Sequence, residues 1–224
     1  MIVVGAHWQS NDYYNRADLT SLPVLDGIPI IADKNIIKGK LSQGFKAEYR
    51  IFDGGTGDFE SYSGRTVPLT QTFLGLEVAT EAEAWTLRKI LYGLRGRQKT
   101  FWAPSYRMDF TVTETIDATD TTITFEENDF HRFAEDAPDP WGAIMIQTVD
   151  GTQYFRVITA TSAPVAGEET ITIAQLSSEV LVSNIAFASL LVRSRLATDN
   201  ITIEHLRTGN IKVRVPLAGV KESA

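Results

Sequence analysis

The sequence predicts a mainly β chain with one α-helix, in which a discontinuous β main domain is interrupted by a small β-barrel. Three observations predict it: period-two alternation beginning at Gly44, one amphipathic stretch from about Thr80 to Gly96, and a series of short β-branched runs after residue 115. With 224 residues the chain can bury a full core, in one large domain or two small ones. Hydrophobic residues at 43% and charged residues at 22% are ordinary for a globular protein and argue against disorder.

Residues 1–45 read as an extended N-terminal arm. Aromatics at Trp8, Tyr13 and Tyr14 are followed by Pro23 and Pro29, with little sustained periodicity. Such an arm is expected to lie across its own chain in preference to a neighbouring subunit. From Gly44, Phe45, Ala47, Tyr49 and Ile51 alternate with Lys46, Glu48 and Arg50, the pattern of a half-buried strand. The run Asp53-Gly54-Gly55-Thr56-Gly57-Asp58 supplies glycines for a tight turn. It resembles a phosphate-binding loop only superficially, because neither the lysine and serine of a P-loop nor a helix follows. A second strand is expected over about Thr66 to Val78.

The helix has a start signal with a mechanism. In Thr80-Glu81-Ala82-Glu83 the threonine hydroxyl can accept from the amide three residues on, while Glu83 reaches back to the cap amide. Ala84, Leu87, Leu91 and Leu94, supported by Ile90, form one apolar stripe, with Glu81, Arg88, Lys89 and Arg95 mostly away from it. Acidic residues at the start and basic ones toward the end match the helix dipole, and Gly96 is the expected stop. Phe101-Trp102-Ala103-Pro104 then reads as a return strand ending in a turn.

Residues 115–195 read as a separate unit. Thr121 to Phe125, Ala143 to Thr148, Gln153 to Thr161, Glu169 to Ala174 and Ala186 to Val192 are five short strands, spaced by turns that include Asp150-Gly151, and suit a small closed barrel. The last strands, about Asn200 to Leu206 and Asn210 to Leu217, form a hairpin around Arg207-Thr208-Gly209. A lone hairpin is marginal in water, so it must join the earlier strands. The expected main domain is therefore residues 46–114 plus 196–224, with its helix at 80–96.

Composition excludes several chemistries. With no cysteine, disulfides, thiolate metal sites and cysteine nucleophiles are absent. A net charge of −7 with 21 basic residues argues against general nucleic-acid binding, though it leaves room for a local basic patch. No stretch approaches the roughly 18 to 20 apolar residues that cross a bilayer, so no membrane anchoring is expected. The start of the chain lacks the pattern of a secretion signal.

Neither metal nor catalytic residues emerge. His7, His131 and His205 share no ligand spacing, and the acidic run Glu126-Glu127-Asn128-Asp129, followed by Glu135, Asp136 and Asp139, lacks the order of a calcium loop and reads as a solvated loop. No G-x-S-x-G elbow is present, and 28 acidic residues make any carboxylate pair uninformative. Trp141, after the stiff stretch from Asp136 to Pro140, reads as a barrel plug ahead of a ligand contact. Arg88, Lys89, Arg95, Arg97 and Lys99 form the strongest basic cluster, read either as a patch for an acidic partner subunit or as a solvated helix end.

The segment Glu83-Ala-Trp-Thr-Leu-Arg-Lys-Ile-Leu-Tyr-Gly-Leu-Arg-Gly-Arg97, followed by Lys99-Thr-Phe-Trp-Ala-Pro104, resembles tail-tip proteins of long-tailed bacteriophages, which also occur in gene transfer agents. In that family a helix ending in a Gly-Arg turn leads into a strand of the form F-W-x-P. Downstream, Thr121 to Phe125, Tyr154-Phe-Arg-Val-Ile158 and Leu190-Leu-Val-Arg-Ser-Arg-Leu196 follow the spacing of an inserted β unit, so the likeness covers roughly residues 68–217. It implies a bacteriophage virion structural protein assembled in the bacterial cytoplasm: a distal tail, tail hub, baseplate or minor tail protein. It also implies an immunoglobulin-like or fibronectin-like β-sandwich main domain. The implied partners are tail tube, hub and receptor-binding or fibre proteins, and further copies of the chain in a homo-oligomeric ring. Some related minor tail proteins hold an iron–sulfur cluster on cysteines; none is carried over here, and no cofactor is expected. The rival readings are a carbohydrate- or receptor-binding module using Trp141 or Trp8, and, behind it, a cell-wall hydrolase.

Overall fold

A computed structural model of the chain describes residues 18–32, 42–46, 49–53, 59–63, 69–136, 142–207 and 210–220. His7, Trp8, the tyrosines at 13 and 14, the glycine-rich run 54–58, the segment 137–141 with Trp141, and the turn at 208–209 lie outside the described residues.

In chain order the elements are β1 (Val24–Leu25), β2 (Ile28–Pro29), β3 (Ser42–Lys46), β4 (Tyr49–Asp53), β5 (Phe59–Ser63), β6 (Leu69–Val78), α1 (Glu81–Leu94), β7 (Thr100–Pro104), β8 (Thr122–Glu126), α2 (Phe130–Asp136), β9 (Ala143–Thr148), β10 (Gln153–Val165), β11 (Glu168–Ile173), β12 (Ile185–Leu196), β13 (Ile203–Arg207) and β14 (Asn210–Gly219). The chain is mainly β, as expected, with antiparallel pairing between its named strands. It has two α-helices among the described residues where one was expected: α2 occupies part of the acidic stretch that reads as a loop.

The chain divides into two compact units. Among the described residues, the first holds Asp18, those between Asp33 and Lys99, and those from Arg195 to Val220; the second holds Leu19–Ala32 and Thr100–Ser194.

In the first unit β6 is flanked by β3 and β14, and β13 adds to β14. The register sets Ile211, Val213 and Val215 of β14 opposite Val78, Leu76 and Leu74 of β6, and all six are buried. Alternation in both strands therefore makes one continuous apolar face. The alternation from Phe45 to Ile51 falls on two strands with different partners: β3 pairs with β6, whereas β4 pairs with β5. Helix α1 buries Ala84, Leu87, Ile90, Leu91 and Leu94, the stripe the sequence predicts. Its capping box is complete, with Glu83 N donating to Thr80 Oγ1 (3.3 Å) and Thr80 N to Glu83 Oε2 (3.1 Å). The stop comes one residue earlier than expected: Arg95 is the left-handed cap (φ 52°) and Gly96, also left-handed (φ 61°), opens a 3-10 turn over Gly96–Gln98. The last turn of α1 carries no basic residue, so the expected match to the dipole is acidic residues at the start alone.

The second unit is built on the antiparallel path β12-β9-β10-β11-β8. Every residue of β9, between β12 and β10, is buried. Ile144 and Ile146 face a core that includes Phe110, Phe125 and Phe130, while Ala143 and Met145 face a second cluster with Ile30, Ala32 and Trp102. In the first core the rings of Phe110, Phe125 and Phe130 meet edge to face, with centroids 4.8, 5.0 and 6.4 Å apart. Each such pair adds about 1 kcal/mol to what burial supplies.

Residues 19–32, read as irregular, contain a hairpin: β1 and β2 join through Asp26 and Gly27, both at positive φ (55° and 75°). Trp102 Nε1 donates to Leu25 O (3.2 Å) and Ile31 N to Trp102 O (2.9 Å), which seats this segment on β7 of the same unit. Residues 109–113 make a further link. Phe110 N donates to Ala188 O of β12 (3.2 Å), while Thr113 N donates to Thr124 O and Glu126 N to Thr111 O on the β8 side (3.1 and 3.0 Å). Backbone bonding thus continues from one end of the path to the other.

Candidate functional site

The outward face of α1 carries the most chemically distinctive group in the first unit. Trp85 falls beside the buried stripe, one residue after Ala84, and is 45% exposed. Arg88, one turn on, places its guanidinium carbon 5.0 Å from the centre of the Trp85 ring, and its Nη2 lies 3.3 Å from His205 Nε2 on β13. Arginine only donates, so Nε2 is the acceptor in this contact. The guanidinium is held by a cation–π contact on one side and a hydrogen bond on the other, which fixes a side chain that otherwise samples many rotamers.

Lys89, next along the helix, is exposed and has no side-chain partner among the described residues. The register puts Lys212 opposite Glu77 on β6 and Glu204 on β13. Arg214 covers the Phe73 ring at 4.6 Å.

The turn after α1 is a separate lock. Arg97 N donates to Asp199 Oδ1 (2.9 Å) and Arg97 Nε to Asp199 Oδ2 (3.0 Å). The Arg97 amide, desolvation working against it and then the Arg97 side chain set the balance that holds the Asp199 carboxyl below the usual carboxylate range. A Cβ on Gly96 would collide with Asp199 Oδ1, so a substitution there displaces the Asp199 side chain as well as straining φ. The basic cluster of the sequence is thus divided: Arg97 pairs with Asp199, while Arg88 stacks on Trp85 and directs one N–H at His205.

In the second unit, His131 and the 1%-exposed Glu169 form a buried pair, Nδ1 to Oε1 at 3.3 Å, with His131 N also facing Oε2 at 3.4 Å. Asp109 is structural as well: its Oδ2 accepts from Ser105 Oγ and from Leu190 N (2.8 Å). The acidic run begins on β8 and turns at Asp129 (φ 62°) into α2. Asn128 braces that turn from both sides, donating to Asp109 O (2.6 Å) and accepting from Phe130 N (3.0 Å).

His131 and His205 lie in different units, and His7 lies outside the described residues. Among the described residues no group of three or more His, Asp or Glu is placed to hold a metal ion, and no helix is long and apolar enough to cross a membrane. Reading along the chain missed the Trp85–Arg88–His205 group. Trp85 and Arg88 stand three apart on a helix, which signals a shared face, but His205 arrives from 117 positions away.

No family model matches the chain, and no curated protein matches it.

Proposed function

We propose that this chain is a structural component of a bacteriophage tail tip, at the distal tail ring, hub or baseplate, which joins the tail tube to receptor-binding parts. The observation that carries the proposal is the ordered likeness from Glu83 to Pro104, a helix with a Gly-Arg ending followed by an F-W-x-P strand. Both motifs have firm physical roles here, which supports reading them as a unit: Gly96 and Arg97 lock onto Asp199, and Trp102 seats the β1–β2 hairpin. The finer fold in this proposal is an immunoglobulin-like or fibronectin-like main domain with an inserted small β-barrel. The backbone bonds of residues 109–113 to strands at both ends of the five-strand path support the barrel.

In this proposal the mechanism is geometric. Rigid β units present surfaces to tail tube, hub and fibre proteins and to further copies of the chain, with no bond made or broken. The location is the virion. Peptide mapping of purified tailed particles from the source of the gene tests it: peptides of this chain are expected at a fixed ratio to tail proteins, and their absence from intact particles would overturn the assignment.

A further inference from the structure

We propose that the Trp85–Arg88–His205 face of one copy receives the acidic turn Glu126-Glu127-Asn128-Asp129 of a second copy. The proposal rests on the homo-oligomer in the function proposed above and names the contact that would build it.

Three observations favour this occupant. The first is composition: an exposed tryptophan with an arginine stacked on it is the pairing in which binding energy concentrates at protein interfaces. The second is unused donor capacity. Of the five guanidinium N–H groups of Arg88, one is directed at His205. Elsewhere in the first unit, Lys212 stands in register with Glu77 and Glu204 on the strands either side of it.

The third observation is the complement. Glu126 and Glu127 are exposed, and neither side chain is paired among the described residues, while Asp129 lies 3.5 Å from Arg132. Their backbones are fixed, with Glu126 N bonded to Thr111 O (3.0 Å), Glu127 N to Gly167 O (2.9 Å), and Asn128 bracing the turn. Two preformed elements of opposite charge lose little freedom on meeting, which is where association usually loses free energy. Each copy offers both halves of the contact.

The test is a charge exchange read by sedimentation velocity over a range of concentration and salt. Arg88→Glu alone and the double variant Glu126→Arg/Glu127→Arg alone are each expected to weaken self-association at least about tenfold, as close interfacial charge pairs do. The triple variant carrying both changes is expected to recover it. Association of the unaltered chain is expected to weaken as salt rises, a readout that needs no variant and so survives a folding failure in any of them. A wild-type chain that stays monomeric, or association indifferent to both exchanges and to salt, overturns the proposal. Either result leaves the tail-tip assignment to be judged separately, by whether the chain is found in particles.

Discussion

Asp199 shows how much one carboxylate can organise. It accepts from the backbone and the side chain of Arg97 and occupies the space that any Cβ at position 96 would need. Gly96→Ala therefore forces both a left-handed alanine and a shift of Asp199, and is expected to cost about 1 to 2 kcal/mol in urea denaturation. The Asp199 carboxyl is held below its ordinary range, chiefly by the Arg97 amide. A depressed folded-state value stabilises the protein above the unfolded carboxylate value, near 3.9, and the gain is lost as pH falls through the lower folded value. Asp199→Asn should accordingly be less stable than wild type at neutral pH, with the gap closing as both are titrated into acid. A gap that persists unchanged in acid would place the stabilisation elsewhere.

The helix α1 was the most legible element because each of its signals is local. The apolar stripe, Thr80 and Glu83 all lie within one stretch of chain, and the capping box forms as expected. Thr80→Ala should lower stability by about 1 kcal/mol, and Thr80→Ser should restore most of it. Where pairing is set at a distance, the chain was harder to read. The alternation across Phe45 to Ile51 is continuous, yet β3 and β4 have different partners, a choice made by strands that arrive later in the chain. Asp26-Gly27 between Leu25 and Ile28 was a local hairpin signal that the surrounding irregularity and prolines obscured.

Helix α2 was hidden for another reason: its seven residues sit in an acidic run, and its anchors are Phe130 in the core and His131 on Glu169. Neither contact is visible without the fold. His131→Ala would leave the buried Glu169 side chain without its ring partner, and the expected loss is about 1 to 3 kcal/mol, the cost of an unpaired buried polar group. Replacing both partners with leucine should be less damaging than the single change, since no polar group is then left buried without a partner; a double variant worse than His131→Ala would contradict that account.

At the scale of the molecule, two units share a chain that passes between them more than once, so neither unit is continuous in sequence. The short strands of the second unit could be placed from β-branched runs and turns, and β9 matches its expected limits, Ala143–Thr148. Their order in space depends on long-range pairing. The same holds for function. Phe101-Trp102-Ala103-Pro104 could be recognised as a motif, but the face formed by Trp85, Arg88 and His205 exists only once β13 lies beside α1. The central claim, assembly into a tail tip, is tested most directly by electron microscopy of intact tailed particles labelled with an antibody against this chain. Label confined to the distal end of the tail is the predicted result; label on the capsid or along the whole tail, or none on intact particles that carry their other tail proteins, would contradict it.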